Sequence, residues 1–306
     1  MSEFADQVTV AAYRVGWTLV RRLPERAAYT AFDGLAALVH RRGGKGVDRM
    51  RSNYALVRPE LDAEELEALV GDGLRSYFRY WCDAFRLSRY SAQDLEPRVR
   101  LVGDAGAREV LKEGRSLVVF LGHMGNWDLC GAWATTYFAP VTTVAERLKP
   151  EELFEEFLTF RESLGMRIIP LTGGENPFGT LVRAARQGAF IPLLADRDLT
   201  SRGVTVQLLG HNARVAAGPA AVALASGAAL YALGVRYERR ADGSGFDVVA
   251  TFSDLIEPGE GTRTDQIQDM TQRCMDHLGE QIHAYTEDWH MMQRVFEKDL
   301  DTAGGR

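Results

Sequence analysis

The stretch Ser116-Leu117-Val118-Val119-Phe120-Leu121-Gly122-His123-Met124-Gly125-Asn126-Trp127-Asp128 decides the architecture. Its first six residues are a short apolar run that reads as a buried strand, and the segment beyond Asp128 is again apolar and reads as a helix. On an unbroken helix His123 and Asp128 would lie roughly 140° apart, facing different ways. The two can meet only if the chain turns between them. Gly122 and Gly125 permit such a turn, and Asn126 is a good N-cap for a helix whose first turn holds Asp128. A carboxylate set against an imidazole at the end of a strand is the geometry of a general base. The same residues would also suit a surface histidine beside a helix-start aspartate.

Outward from this stretch, the chain beyond residue 100 alternates strands and helices, the signature of an α/β domain. Strands fit at 116–121, 140–145, 167–171, 189–195, 229–236 and 246–252, and helices at 127–137, 151–164, 177–187, 218–226 and 264–285. The first hundred residues look helical, with a break at Gly43-Gly44-Lys45-Gly46 that lacks the Gly-Lys-Ser/Thr ending of a P-loop. The expected fold is α/β: a central, mostly parallel β-sheet flanked by helices, with a helical N-terminal portion. One domain over 1–306 is the economical reading, with 1–100 as a helical, basic portion and 101–306 as an α/β catalytic core.

Composition narrows the function classes. A 306-residue chain with 46% hydrophobic content can bury a large core. A net charge of −6 argues against nucleic acid as a partner. The charge is uneven, however: residues 1–58 hold ten Arg or Lys against five Asp or Glu, a local +5 that leaves −11 for the remainder. A basic beginning on an acidic protein suits an anionic membrane surface. Phe4, Val8, Ala11, Val15 and Leu19 recur at helical spacing beside Arg14, Trp17 and Arg21, a pattern that fits either an interfacial helix or one packed on its own domain. Arg14, Arg21 and Arg22 interrupt the first apolar stretch, so no cleavable signal peptide is expected. Val215 to Val235 runs 21 residues without a charge, but Pro219 and Ser226-Gly227 divide it into a short buried helix and a strand from Ala229. Cys82, Cys130 and Cys274 are odd in number and widely spaced, which suits a reducing cytosol, and Cys130 reads as a small buried apolar residue.

Three further features fall where chemistry is expected. The strand 189–195 ends in Asp196-Arg197-Asp198, at the sheet edge where open α/β folds bind ligands, and parallel strands would bring these residues beside His123. Arg161 falls on the apolar stripe formed by Phe154, Phe157, Leu158 and Leu164, and a charge on a buried face needs a partner, for which Glu146 is the candidate. Arg202, His211 and Arg214 surround a segment leading to Gly218-Pro219, a helix start able to face an anion.

Together these blocks resemble the lipid A biosynthesis acyltransferase family. His123 and Asp128 match its His-x-x-x-x-Asp motif, and Ala145-Glu146-Arg147-Leu148-Lys149 resembles its second block. Ala195-Asp196-Arg197-Asp198, with Gly203-Val204 and Leu209-Gly210, is similar to its Asp-Gln-Asp block and the Phe-Phe-Gly that follows. Ala217-Gly218-Pro219-Ala220 and the closing Trp289-His290 also fit. Arg197 stands where the lipid A enzymes have Gln, and Leu208-Leu209-Gly210 replaces the aromatic pair; the Ala-Asp-Arg-Asp version resembles the phosphatidylinositol mannoside acyltransferase branch.

The resemblance implies direct acyl transfer, without an acyl-enzyme, from acyl-CoA (palmitoyl in that branch) to the mannose 6-hydroxyl of a membrane glycolipid. His123 would take the hydroxyl proton, and Asp128, Asp196 or Asp198 would orient the imidazole. Backbone N–H groups at Gly125 and Asn126 would serve the oxyanion. Arg161, Arg197 and Arg202 would meet phosphates, and Glu146 and His290 would join the substrate-binding set. No metal or cofactor is expected beyond acyl-CoA as co-substrate, since His277 and His283 lack ligand spacing on a helix. The expected location is peripheral, on the cytoplasmic face of a bacterial cell membrane. A lipid A-type or other glycolipid acyltransferase using an acyl-carrier protein, or a non-catalytic peripheral lipid-binding protein, are the alternatives.

Overall fold

The computed structural model describes residues 19–146, 151–171, 176–198 and 203–301. The stripe from Phe4 to Val15, the residues Arg147 to Lys149 and the anion candidate Arg202 lie outside the described residues.

Nine strands are described: β1 Val99–Val102, β2 Leu117–Leu121, β3 Thr142–Ala145, β4 Arg167–Pro170, β5 Phe190–Leu194, β6 Val204–Leu208, β7 His211–Val215, β8 Ala229–Arg239 and β9 Phe246–Phe252. Five of them form the central sheet in the order β1-β9-β8-β2-β5. β2 runs parallel to both β5 and β8, and β1 parallel to β9, while β8 and β9 are antiparallel. The parallel pair β3–β4 stands beside β5, joined by a Val141–Phe190 bridge and a 2.5 Å bond from Thr143 Oγ1 to the Pro192 carbonyl.

β2 lies between β8 and β5, and every one of its side chains is apolar and buried. Val118 and Phe120 enter one core with Met50, Tyr54, Leu74 and Leu278. Leu117, Val119 and Leu121 enter the other with Leu129, Trp133 and Leu233. Alternation with a period of two thus serves two buried faces, as a sheet covered by helices on both sides requires.

The helices at Trp127–Tyr137 and Gly218–Ser226 match the sequence reading, and those at Glu151–Ser163, Pro177–Ala185 and Arg263–Ala284 differ by one or two residues at their ends. The 21-residue uncharged stretch divides as expected, with Gly227 in the left-handed region (φ 75°) ending the helix before β8 begins. No described helix is long and apolar enough to cross a membrane. Two things differ from the expectation. β1 was not foreseen, and the segment from 204 to 215 is a β6–β7 hairpin turning at Leu209 and Gly210 (φ 50° and 84°).

Ahead of the sheet stand helices Glu25–Arg42, Lys45–Val57 and Ala63–Arg86. Asp62 and Glu65 cap the last of these reciprocally. It reaches the functional edge of the sheet, carrying Ser76, Tyr77, Tyr80 and Trp81 there. Tyr54 Oη donates to the Trp289 carbonyl at 2.9 Å, tying the first helices to the last turns of the chain.

Candidate active site

The register of the parallel pair β2–β5 builds the site. Leu117 pairs with Phe190 and Leu121 with Leu194, so two residues further on the same offset sets His123 level with Asp196. The aspartate receives His123 twice: the backbone N–H donates to Oδ2 at 2.8 Å, and Nδ1 lies 2.5 Å from Oδ1. Trp289 Nε1 donates to Oδ2 at 3.0 Å. Burial disfavours the charge on this fully enclosed carboxylate, but the imidazole and these donors outweigh burial and hold its carboxyl below the usual range. An ionised carboxylate only accepts, so Nδ1 carries a proton, and in the neutral ring the lone pair is on Nε2. The His123 side chain is 20% exposed and lines a cleft of about 420 Å³.

Asp128 is not the partner of His123. It is buried between Arg161, whose Nε and Nη2 reach it at 2.8 and 3.0 Å, and Tyr80, whose hydroxyl donates at 2.7 Å. A two-toothed guanidinium pair of this kind fixes geometry and charge together. Burial opposes the Arg161 charge, yet Asp128 more than compensates and holds the guanidinium protonated more firmly than usual. The expected Glu146–Arg161 pair is therefore also replaced. Glu146 instead accepts from Arg197 at 3.1 Å, and both line the cleft. Arg161 was reserved for phosphate, but its charge is already matched by Asp128.

Asp198 accepts from the Gly203 N–H at 2.7 Å and lies 3.7 Å from Arg214. These contacts tie Asp198 to the β6–β7 hairpin. The oxyanion role for the Gly125 N–H needs correction too. The Gly125 N–H donates to the Asp288 carbonyl at 2.8 Å. Asn126 is fully buried, caps the following helix through Leu129 N at 2.9 Å, and gives its amide to Asp83 at 3.2 Å. Gly125 is obligatory for a different reason. Its φ is 57°, and a Cβ there would sit 2.5 Å from the Val235 carbonyl oxygen.

His290 joins the cleft as expected. Its backbone N–H donates to the His123 carbonyl at 2.8 Å, and its ring lies among Tyr77, Tyr80 and Trp127 at centroid distances of 5.7, 6.0 and 5.9 Å. Beneath the cleft lies a narrow apolar cavity of about 70 Å³, lined by Cys130, Gly131, Ala134, Met166, Phe190 and Leu233 among others. Trp127, Val144, Arg161 and Leu194 line both spaces, so the two adjoin. Cys130 is one of the cavity's apolar walls, and burial pushes its thiol up to about 12.

Sequence reasoning missed the parts played by Trp289, Ser76, Asp288, Tyr80 and Trp127. Trp289 and Trp127 stand in the recognised blocks without a role; Ser76, Asp288 and Tyr80 lack a local pattern, since their partners lie far away in the chain.

An α/β fold with helices on both faces of its sheet thus sets a His–Asp pair at the carboxyl ends of adjacent parallel strands, beside an apolar cavity, an arrangement able to take a proton from a hydroxyl. The chain belongs to the bacterial lipid A biosynthesis acyltransferase family, whose model matches residues 3–298. It is 38% identical over 295 residues to the phosphatidylinositol mannoside acyltransferase of Mycolicibacterium smegmatis, covering 96% of this chain and 93% of that protein. It is likewise 38% identical over 292 residues to the Mycobacterium tuberculosis protein of the same name, covering 94% and 89%.

Proposed function

We propose that this acyltransferase moves a fatty acyl chain, palmitoyl for preference, from acyl-CoA to the mannose 6-hydroxyl of a phosphatidylinositol mannoside. The carrying observation is the His123–Asp196 pair facing a cleft that adjoins an apolar cavity. A sugar hydroxyl is a weak nucleophile at neutral pH. His123 Nε2 takes its proton as the oxygen attacks the thioester carbonyl, a step in which general-base help contributes about 10² to 10⁴ in rate. Asp196 holds the tautomer and stabilises the imidazolium. The tetrahedral intermediate then expels the thiolate, which recovers the proton from His123, leaving an ester, free CoA and an unchanged enzyme. Arg197 is paired in the cleft with the half-exposed Glu146, and its Nε has no partner among the described residues, so it keeps an N–H suited to phosphate of the donor or the head group.

The membrane assignment draws support from the surface of the first helices. Leu19, Leu23, Leu35 and Leu38 are exposed there, on a segment that also carries Arg21, Arg22, Arg26, Arg41 and Arg42. The protein works on this reading as a peripheral enzyme at an anionic cytoplasmic leaflet. Vesicle sedimentation that weakens as salt rises supports it; binding indifferent to salt removes the electrostatic part.

The deciding experiment incubates the purified protein with mannosylated phosphatidylinositol and either palmitoyl-CoA or an acyl-carrier thioester. Thiol release is followed, and the product is read by mass spectrometry. Mannose-linked palmitate from the CoA donor, lost in His123→Ala, is the expected result. Transfer from the carrier thioester alone, or equal thiol release by both proteins, overturns it.

A further inference from the structure

Among the described residues, three atoms of cleft residues are buried without a partner. Arg197 Nε belongs to the cation already matched to phosphate above; the other two are Trp127 Nε1, which is always a donor, and His290 Nδ1. Both residues line the cleft that holds His123, and their rings stand 5.9 Å apart. Buried polar groups are as a rule paired, and an orphaned pair at a cleft points to something that arrives with the substrate. What it is depends on whether Nδ1 donates or accepts.

The proton arrangement follows from the groups behind the ring. Ser76 Oγ donates to Asp288 Oδ1 and lies 3.0 Å from His290 Nε2. Asp288 Oδ2 is occupied by the Tyr237 N–H at 2.7 Å. Burial raises Asp288 to about 6, so at neutral pH it is ionised and accepts on both oxygens. Burial, with Arg79 and His123 nearby, lowers His290 to about 3, so the ring is neutral. The serine has one proton and gives it to the carboxylate. Its oxygen must then accept from His290 Nε2–H, which leaves Nδ1 as a bare lone pair.

We propose that Trp127 Nε1–H and His290 Nδ1, the latter held in its acceptor tautomer by Ser76 and Asp288, form a subsite for one hydroxyl group of the acceptor sugar. A hydroxyl is the group that can accept from the indole and donate to the imidazole at once. This rests on the glycolipid reading above. It assigns the second histidine of the cleft to recognition, separate from proton transfer at His123, and it makes Ser76 and Asp288 positioning residues.

The test begins with 15N-histidine NMR of the full chain at neutral pH, with the His290 signal assigned by its loss in His290→Gln. A pyridine-like Nδ1 and a protonated Nε2 are expected. In Asp288→Asn the amide nitrogen would donate to Ser76 while its oxygen keeps the Tyr237 bond. The serine proton would then turn to His290 Nε2, and the tautomer should invert. A protonated Nδ1 in the unaltered protein, or no inversion in the variant, overturns the proposal. Kinetics with mannosylated phosphatidylinositol in mixed micelles supply the second readout. Trp127→Phe keeps the ring and removes the donor, so KM for the glycolipid should rise roughly tenfold, the size of one hydrogen bond. The effect should fall on that KM more than on kcat, and an unmoved KM overturns the proposal. Should the protein transfer no acyl chain at all, a methyl α-mannoside titration that shifts the Nδ1 signal keeps the subsite while refuting the proposed function. An unshifted signal refutes both.

Discussion

Replacing Asp196 by Asn separates chemistry from folding. The carboxylate uses Oδ2 for His123 N at 2.8 Å and Trp289 Nε1 at 3.0 Å, and Oδ1 for His123 Nδ1 at 2.5 Å. An asparagine has one acceptor oxygen. Two donors already converge on the Oδ2 position, so the amide oxygen stays there and the NH₂ group faces Nδ1. The imidazole can then meet it only by giving up its Nδ1 proton and protonating Nε2, which removes the lone pair that the proposed mechanism uses. Where a triad carboxylate is replaced in this way, the loss in kcat is about 10⁴. We expect kcat to fall by about 10³ to 10⁴, or ~4–5.5 kcal/mol in the barrier. Two of the three bonds survive, so the unfolding free energy should change by no more than about 1–2 kcal/mol. Thiol release from acyl-CoA reports the first quantity, and urea unfolding followed by circular dichroism the second. An Asp196→Asn protein retaining a tenth of the activity would refute the assignment of Asp196 as the orienting group. So would the same kinetic loss in Asp128→Asn with its fold intact.

Asp128→Ala should act on stability, because it leaves the buried Arg161 guanidinium unpaired, at a cost of about 3–5 kcal/mol. Tyr80→Phe removes one of the bonds to Asp128 and should cost only ~1 kcal/mol in the same urea titration. The pH dependence of His290 has a definite sign. Its folded value, about 3, lies below the unfolded ~6.5, so its contribution is complete above pH 6.5 and is lost as pH falls towards 3. The stability advantage of the unaltered protein over His290→Gln should therefore shrink across that window, by up to about 4–5 kcal/mol. Asp288 works the opposite way, since its raised value favours the folded state once pH drops below about 6, and Asp288→Asn should remove that compensation. Two glycines with positive φ should behave differently. Gly227→Ala (φ 75°, open space) should cost about 1 kcal/mol, whereas Gly125→Ala meets the Val235 carbonyl and should yield little folded protein.

The α/β fold was legible because its signals are local. The apolar run at 117–121, the Pro219 start and Gly227 stop, and the alternation of strands with helices all act within a few residues. β1 escaped notice because four residues with one half-buried face resemble a loop. The β6–β7 hairpin escaped because its turn uses Leu209 with positive φ, a residue that does not advertise such a turn. At the site, His123 and the edge residues 196–198 were found by their position after buried strands. Which carboxylate serves His123 was not readable, because it depends on the inter-strand register Leu121–Leu194. The same limit hid the Asp128–Arg161 pair, whose members are close only once Glu151–Ser163 packs beside Trp127–Tyr137.

The placement of Trp289 has a consequence for biosynthesis. Its indole completes the hydrogen bonding of Asp196, and its carbonyl receives Tyr54 from the opposite end of the molecule. A nascent polypeptide still attached to the ribosome at that point holds its reactive imidazole but lacks the clamp that steadies it. A fragment that stops short of residue 289 would lack both bonds, and we expect it to transfer no acyl chain.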